Sequence, residues 1–273
     1  MPRFLISLAR LLAISRSVSA GWNIELSITT ETSGAVGGEP FADQPIVTVN
    51  DKKGNKQHSI LGTVWAEIYE SPTGHEDLLE VGVDEVKERY SSPVVDGEAR
   101  FSGLFINAAG RGYRLRYILR DEHDITLGSV VGEPFSVEIG NAYQIGVVAN
   151  PESAYGGMVW GTQPIVAVQD RGFNTVDSIS TGEVLIEILE SGDSSSALRS
   201  VKDEQATVAI QDGLVEFLGL YIDKAGPYSA RFTTSLSLPG GSVCESIPFL
   251  VGVGPAAGLV VLQEPSHGVV TGG

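Results

Sequence analysis

Cysteine is nearly absent from this chain, because Cys244 is the single one among 273 residues. A disulfide within the chain is therefore excluded, and stability must come from the packing of apolar side chains. In the internal alignment described below, Cys244 falls opposite Val130. This predicts that Cys244 fills an apolar strand position as a small hydrophobic residue.

Basic residues are also scarce. The 18 Lys and Arg residues stand against 34 Asp and Glu residues, which gives a formal net charge of −16. Such a balance argues against binding to nucleic acid or to an anionic membrane surface through counterion release, so we expect no nucleic-acid partner. No apolar run is long enough to span a bilayer, so we expect no membrane span in this sequence.

The N-terminal residues have the composition of a leader. A basic start precedes an apolar stretch over residues 4–14, and small residues end at Ala20. This order predicts a signal peptide over 1–20, and hence a secreted or cell-surface protein. Arg10 interrupts the apolar stretch, however, and no acidic residue precedes Glu25. These features also fit a mitochondrial presequence, so mitochondrial import stays the alternative.

What the chain has in abundance is repetition. Residues 119 positions apart recur in pairs, namely Gln44 and Gln163, Pro45 and Pro164, Ile46 and Ile165, Val47 and Val166, Asp51 and Asp170, and Asn55 and Asn174. A repeat of this length indicates two copies of one domain, which we place at 21–140 and 141–254. Residues 258–262 resemble the start of both copies, so we expect a truncated third copy over 255–273.

Alternation with a period of two is the dominant pattern along both copies. The apolar face of one such stretch consists of Tyr113, Leu115, Tyr117 and Leu119, and the second copy repeats it with Tyr228, Ala230 and Phe232. Turn residues separate the stretches at short intervals. The pattern predicts an all-β fold made of tandem immunoglobulin-like β-sandwich domains. Tyr113 and Tyr228 each follow a glycine-containing bend, which predicts that their hydroxyls bond back to upstream backbone.

Two aspartates are the candidate metal ligands. Asp51 and Asp170 each end a strand and enter a tight turn that Asn55 or Asn174 completes. Asp and Asn side chains satisfy backbone groups in turns, so a structural role is sufficient. One carboxylate and one amide supply fewer oxygens than the six to eight that calcium takes. We therefore predict at most weak calcium binding at Asp51 and Asp170, with acidic residues of adjacent domains completing the ligands.

Two tryptophans are the candidate ligand-binding aromatics. Trp160 aligns with Phe41, which predicts an apolar position filled by a larger ring, whereas Trp22 has no aromatic equivalent. An exposed aromatic ring offers a flat apolar face with a polar handle. Trp22 and Trp160 are thus the positions at which a platform for sugars is conceivable.

The segment DGEARFSGLFINAAGRGYRLRY at 96–117, together with the preceding turn, resembles the bacterial immunoglobulin-like repeats of the invasin and intimin family. The matching residues are Asp51, Gly54, Asn55, Gly97, Phe101, Ala109, Gly110, Tyr113 and Leu115, and in the second copy Asp170, Asn174, Gly213, Phe217, Ala225, Gly226 and Tyr228. Phe173 lies between Gly172 and Asn174, which suggests a different spacing in the second copy. The resemblance implies an extracellular spacer or adhesive stalk and implies no catalytic residue.

The sequence offers no catalytic constellation. The four histidines share no position between the copies and have no metal-like spacing, and no Gly-x-Ser-x-Gly motif occurs. We therefore predict a non-enzymatic segment without a cofactor, serving as a structural spacer or adhesive stalk at the cell surface. The alternatives are a glycan- or protein-binding module acting through sandwich loops, and accessory domains of a larger secreted enzyme. The expected partner is an extracellular protein or glycan, and we expect the array to continue beyond Gly273.

Overall fold

A computed structural model of the chain describes residues 24–72, 74, 76–81, 90–152, 154–190, 198–200, 206–256 and 258–262. Every regular element in these residues is a β-strand, which confirms the predicted all-β class. The chain divides into two compact units. Unit 1 comprises Met1–Tyr143 with Gln169–Val176, and unit 2 comprises Gln144–Val168 with Asp177–Gly273. The boundaries predicted at 20, 140 and 254 remain predictions.

Unit 1 contains eleven described strands. They are β1 (Ile24–Thr30), β2 (Ala35–Val36), β3 (Ile46–Asp51), β4 (Thr63–Glu70), β5 (Leu78–Glu80), β6 (Tyr90–Val95), β7 (Glu98–Arg100), β8 (Leu104–Ile106), β9 (Gly110–Arg120), β10 (Thr126–Val131) and β11 (Phe135–Glu138). The main sheet runs in the order β1-β3-β7-β6-β4-β9-β11-β2, and β10 pairs with β9. Because β1 also lies against β10, the sheet folds back on itself into a sandwich around one core. Strands β5 and β8 form a separate antiparallel pair.

The strands that begin or complete unit 2 are β12 (Gln144–Ala149), β13 (Ala154–Tyr155), β14 (Ile165–Gln169), β15 (Glu183–Glu190), β16 (Leu198–Ser200), β17 (Thr207–Ala209), β18 (Leu214–Glu216), β19 (Leu220–Ile222), β20 (Gly226–Thr234), β21 (Val243–Glu245) and β22 (Phe249–Gly252). One sheet runs β12-β14-β18, and the other runs β13-β22-β20-β15-β17 with β21 on β20. Strands β16 and β19 form a separate pair.

The two units pair β4 with β9 and β15 with β20 in the same register from Val64 to Ile68 and from Val184 to Ile188. Val64 lies opposite Leu119 between β4 and β9, and the equivalent Val184 lies opposite Thr234 between β15 and β20. The predicted alternation is confirmed in both units, because one face of each strand is buried. The buried residues of this set are Val64, Ala66, Tyr113, Leu115, Tyr117 and Leu119 in unit 1, and Val184, Ile186, Tyr228, Ala230 and Phe232 in unit 2. Equivalent sequence positions therefore build equivalent cores.

Cys244 lies in β21 and pairs with Phe232, as Val130 in β10 pairs with Tyr117. Its side chain is partly buried, and burial raises the pKa of the thiol to about 12. The thiol is therefore protonated at neutral pH, whereas the reactive form of a cysteine is the thiolate. The predicted role as a small hydrophobic strand residue is confirmed.

Residues 258–262, which resemble the first strand of each copy, form no strand in the part of the chain that the structure describes. Leu259 and Leu262 are almost fully exposed. The described residues therefore do not bury the apolar side chains of this segment, and the truncated third copy over 255–273 stays a prediction. Residues 263–273 lie outside the described residues. Within the described residues there is no helix that could cross a membrane.

Candidate functional site: two equivalent turns and a glycine-pair surface

Asp51 closes the turn after β3 with its carboxylate. Its Oδ1 accepts hydrogen bonds from the backbone amides of Lys53 at 2.8 Å and Asn55 at 2.9 Å. The Asn55 side-chain amide also donates to Oδ1 at 3.3 Å and to Oδ2 at 3.0 Å. These bonds to Asn55 hold the pKa of Asp51 below its usual value, because they favour the charged carboxylate.

Asp170 closes the turn after β14 in the same way. Its Oδ1 accepts from the amides of Gly172 at 2.8 Å and Asn174 at 2.9 Å, and the Asn174 side chain donates to both carboxylate oxygens at 3.0 Å. The expected difference in spacing is wrong. Phe173 occupies the turn position of Gly54, and both adopt a positive φ, 66° and 82°. The glycine of the second turn has moved one position earlier, to Gly172.

The two turns differ in what surrounds them. Asp51 is partly exposed, whereas Asp170 is fully buried within unit 1, with 0 % of its surface accessible. Its Oδ2 accepts a hydrogen bond from the Gly140 amide at 2.8 Å. Asn174 donates to the Asn107 carbonyl at 2.6 Å and accepts from the Ala109 amide at 2.8 Å. The second turn therefore has two sets of bonds, one internal and one to its surroundings.

We call the set Gly37, Gly38, Asn107, Ala109 and Gly140 the glycine-pair surface of unit 1. A Cβ atom on Gly37 would overlap the Asn174 side chain, and one on Gly38 would overlap the backbone of Arg171. On the loop, a Cβ on Gly172 would overlap the Asn107 carbonyl oxygen. Both partners in this contact are therefore restricted to glycine, because the two backbones touch.

A cation–π contact lies beside this surface. The guanidinium of Arg171 lies 4.2 Å from the centroid of the Tyr143 ring. Such a contact contributes about 0.5–1 kcal/mol at an exposed site. The contact adds a side-chain interaction to the three hydrogen bonds that hold Asp170 and Asn174.

The described residues contain no group of three or more His, Cys, Asp and Glu side chains placed to hold a metal ion. Both carboxylate oxygens of Asp51 and of Asp170 accept bonds from N–H groups. Calcium would have to replace these donors, and with them the closure of the turn. Weak calcium binding at Asp51 and Asp170 stays a prediction.

Trp160 is a core residue rather than an exposed platform. Only 2 % of its surface is accessible, and its ring packs edge-on against Phe249 at 5.2 Å between centroids. It lies where the alignment places Phe41, which packs edge-on against Phe135 at 5.7 Å. The expectation of a sugar platform fails for Trp160, because the ring fills the apolar interior. Trp22 lies outside the described residues.

The predicted tyrosine bonds are confirmed. The Tyr113 hydroxyl donates to the Ala108 carbonyl at 2.7 Å, and Tyr228 donates to the equivalent Lys224 carbonyl at 3.0 Å. Burial raises the pKa of Tyr113 to about 12. Both phenols thus tie the start of a long strand to the preceding bend.

The repeated Gln-Pro motif has a structural role that the sequence did not reveal. The Gln44 side-chain amide donates to the carbonyls of Phe41 and Leu104, each at 3.0 Å, and its oxygen accepts from the Leu104 amide at 3.0 Å. Gln163 forms the same three bonds to the equivalent residues Trp160 and Leu220. The position of Gln44 beside β8 depends on a pairing 60 residues distant in sequence, so local pattern gave no signal for it.

A surface cleft of about 520 Å³ lies at one end of unit 1. Its lining includes Leu61, Asp121 and His123. Asp121 accepts hydrogen bonds from the amides of His123 and Ile125 at 2.9 and 2.8 Å, which fixes the loop. Leu61 is 82 % exposed, so an apolar side chain and two polar ones face solvent together. Loop residues therefore line this cleft.

No protein-family profile matches this chain, and no curated protein matches its sequence. Among solved structures, it is similar to dimeric latent PorU from Porphyromonas gingivalis, with 13 % identity over 86 % of this chain and 24 % of that one, at a TM-score of 0.29. A β-glucuronidase from glycoside hydrolase family 2 matches with 11 % identity over 89 % and 23 % of the two chains, at a TM-score of 0.31.

The enterotoxigenic E. coli adhesin CfaE matches with 11 % identity over 87 % of this chain and 86 % of that one, at a TM-score of 0.19. The chain thus spans about a quarter of PorU and of the glucuronidase, 24 % and 23 % of their lengths. TM-scores below 0.5 do not establish a shared fold. The sandwich assignment therefore rests on the strand pairing and the core described above.

Proposed function

We propose that this chain is a non-enzymatic repeat segment that acts as a structural spacer or adhesive stalk at the cell surface. The observation that supports this function is what the two copies share. Three pairs of polar residues common to both copies hold the fold. Gln44 and Gln163 bond backbone groups, Asp51 and Asp170 close turns, and the hydroxyls of Tyr113 and Tyr228 bond carbonyls of the preceding bends. A sequence repeated for its framework, with ligand groups unrepeated, fits a spacer.

The family resemblance and the predicted leader support the same proposal. The residues that resemble invasin and intimin repeats are turn and core residues, and a spacer needs only those. Export is tested by expressing the chain from residue 1 in a secreting host and measuring the mass of the product. We expect a mature N-terminus at Gly21, whereas an uncleaved chain retained in the cell would contradict secretion.

A second candidate is a binding module that acts through loops, and the cleft beside Leu61 and His123 favours it. Binding of the full-length chain to a glycan array separates the two candidates. We expect a chain that acts only as a spacer not to be retained on the array. Reproducible retention of one glycan class, lost in Leu61→Asp and kept in the surface variant Glu216→Gln of unit 2, would overturn the spacer proposal in favour of a loop-borne site.

A further inference from the structure

The outer side of β4 in unit 1 carries two aromatic rings. Val64 and Ala66 are fully buried, so Trp65 between them lies on the opposite, outward face of the strand. Trp65 is partly exposed, and Tyr69 near the end of β4 is 47 % exposed. Four residues of a strand span about 13 Å, which sets the spacing of the two rings along the sheet.

An ion pair holds the region between the two rings. Glu67 lies midway between them in sequence, and its carboxylate accepts hydrogen bonds from two nitrogens of Arg116, of which Nε donates at 2.6 Å. The same guanidinium lies 5.4 Å from the centroid of the Tyr69 ring. These contacts fix the side chains before any ligand arrives, which lowers the entropy that binding would cost.

The strands beside Trp65 place short side chains around it. Trp65 lies opposite Ser91 of β6 and Ile118 of β9, and Ile118 lies opposite Ser129 of β10. Both serines are exposed, whereas Ile118 is partly buried. The outward side of these four strands thus has an apolar strip between small polar residues.

The charges on this side of the sheet cancel one another. Arg116 pairs with Glu67, and a guanidinium nitrogen of Arg114 lies 3.8 Å from the Glu70 carboxylate. The chain as a whole has a net charge of −16, so this balance is a local feature. It favours an uncharged ligand over an ionic one. The guanidinium and carboxylate groups retain donors and acceptors for hydroxyl groups.

Unit 2 has the same strand pairing without the rings. Glu187 of β15 lies opposite Arg231 of β20, as their equivalents in β4 and β9 do. The positions of the two rings are taken by Leu185 and Leu189. The fold therefore does not require aromatic side chains at these positions, because a unit with the same pairing has aliphatic ones. The rings of unit 1 are available for a role other than folding.

We propose that Trp65, Glu67, Tyr69 and Arg116, which we call the aromatic face of unit 1, bind a neutral oligosaccharide. The two rings stack on the apolar faces of sugar units, and the guanidinium and the carboxylate between them bond sugar hydroxyl groups. The inference deepens the proposed function and rests on its adhesive form, because it names the class of ligand that an adhesive stalk would hold.

The test follows the side-chain NMR signals of the full chain during titration with cellohexaose, maltohexaose and N-acetylchitohexaose. We expect at least one of these neutral sugars to shift the Trp65 indole signal saturably, while the indole signal of the buried Trp160 stays in place. Trp65→Leu introduces the residue that the second copy has at this position. It should weaken the binding at least about tenfold, measured on the Arg116 side-chain signal.

Trp160→Phe is the matched control. It also exchanges a tryptophan for the residue of the other copy, here Phe41, and should leave the binding unchanged. If Trp65→Leu does not fold, Tyr69→Leu replaces it, because Tyr69 is exposed.

Four results would overturn the proposal. They are an unshifted Trp65 signal with all three neutral sugars, a shift with an anionic heparin hexasaccharide alone, equal binding by wild type and Trp65→Leu, and a shift on dilution of the chain without sugar. The last result would assign the aromatic face to a second copy of the chain. Each of them leaves the spacer form of the proposed function standing, whereas loss of array retention in Leu61→Asp tests that function separately.

Discussion

The turns at Asp51 and Asp170 have the same internal hydrogen bonds and different surroundings. Each carboxylate accepts two backbone amides and the side chain of an asparagine four positions later. The second turn is also buried against Gly140, Asn107 and Ala109, whereas Lys52, Lys53 and Asn55 of the first are exposed. The shared motif thus specifies the turn, and the placement of one glycine specifies whether a backbone can pack on it.

The largest effects should show how alike the two units are. We expect Tyr113→Ala to destabilise unit 1 by about 3–5 kcal/mol, because a fully buried ring is lost and a cavity remains. Tyr228→Ala should cost unit 2 a similar amount, since its ring and its hydroxyl bond are equivalent. Urea unfolding followed by amide resonances of each unit measures both values.

Phenylalanine at Tyr113 is the matched control. It keeps the ring and removes the hydroxyl that bonds Ala108, so it should cost only about 1–3 kcal/mol. A loss below about 0.5 kcal/mol for Tyr113→Ala, the range of ordinary surface substitutions, would contradict the strand register given for β9.

Smaller effects should show how the two turns differ. Asn174→Ala leaves the Asn107 carbonyl and the Ala109 amide without their partner, whereas Asn55→Ala removes only bonds inside an exposed turn. We therefore expect Asn174→Ala to cost unit 1 about 1–3 kcal/mol more than Asn55→Ala. Both variants are compared by urea unfolding of unit 1. Equal costs would show that the bonds of Asn174 to Asn107 and Ala109 contribute nothing to stability.

Much of the fold could be predicted because period-two alternation is a local property. The buried faces of β9 and β20 follow directly from Tyr113 to Leu119 and Tyr228 to Phe232. The contacts of the second turn with its surroundings could not be predicted. Gly140 lies 30 residues from Asp170, Asn107 lies 67 residues from Asn174, and neither shares a motif with the turn. The one local signal is the position of the glycine. It is Gly54 in the first turn, and in the second turn it lies one position earlier, at Gly172. In the sequence this difference has the appearance of a change of spacing.

The burial of Trp160 shows a related limit. Alignment with Phe41 predicted an apolar position, and that part was correct. The sugar platform was an alternative that residue type alone left open, because a tryptophan serves equally as core and as surface. Packing against Phe249 in β22, which is distant in sequence, decides between the two.

The smallest effect concerns the titration of the exposed turn. The pKa of Asp51 lies below its ordinary value of 3.8 because Asn55 bonds favour the carboxylate. A carboxyl group with a lowered folded pKa contributes stability that is present above the unfolded pKa and is lost as pH falls through the folded one. We therefore expect the Asp51→Asn variant of unit 1 to lose less stability than the wild type between about pH 4 and pH 2.

Urea unfolding of both proteins across that pH range measures the difference. Asn55→Ala tests the cause, because it removes the side-chain bond that lowers the pKa of Asp51 and leaves the carboxylate in place. Identical pH profiles for wild type and Asp51→Asn would mean that the turn contributes through its backbone bonds alone, and the two turns would then differ only in their surroundings.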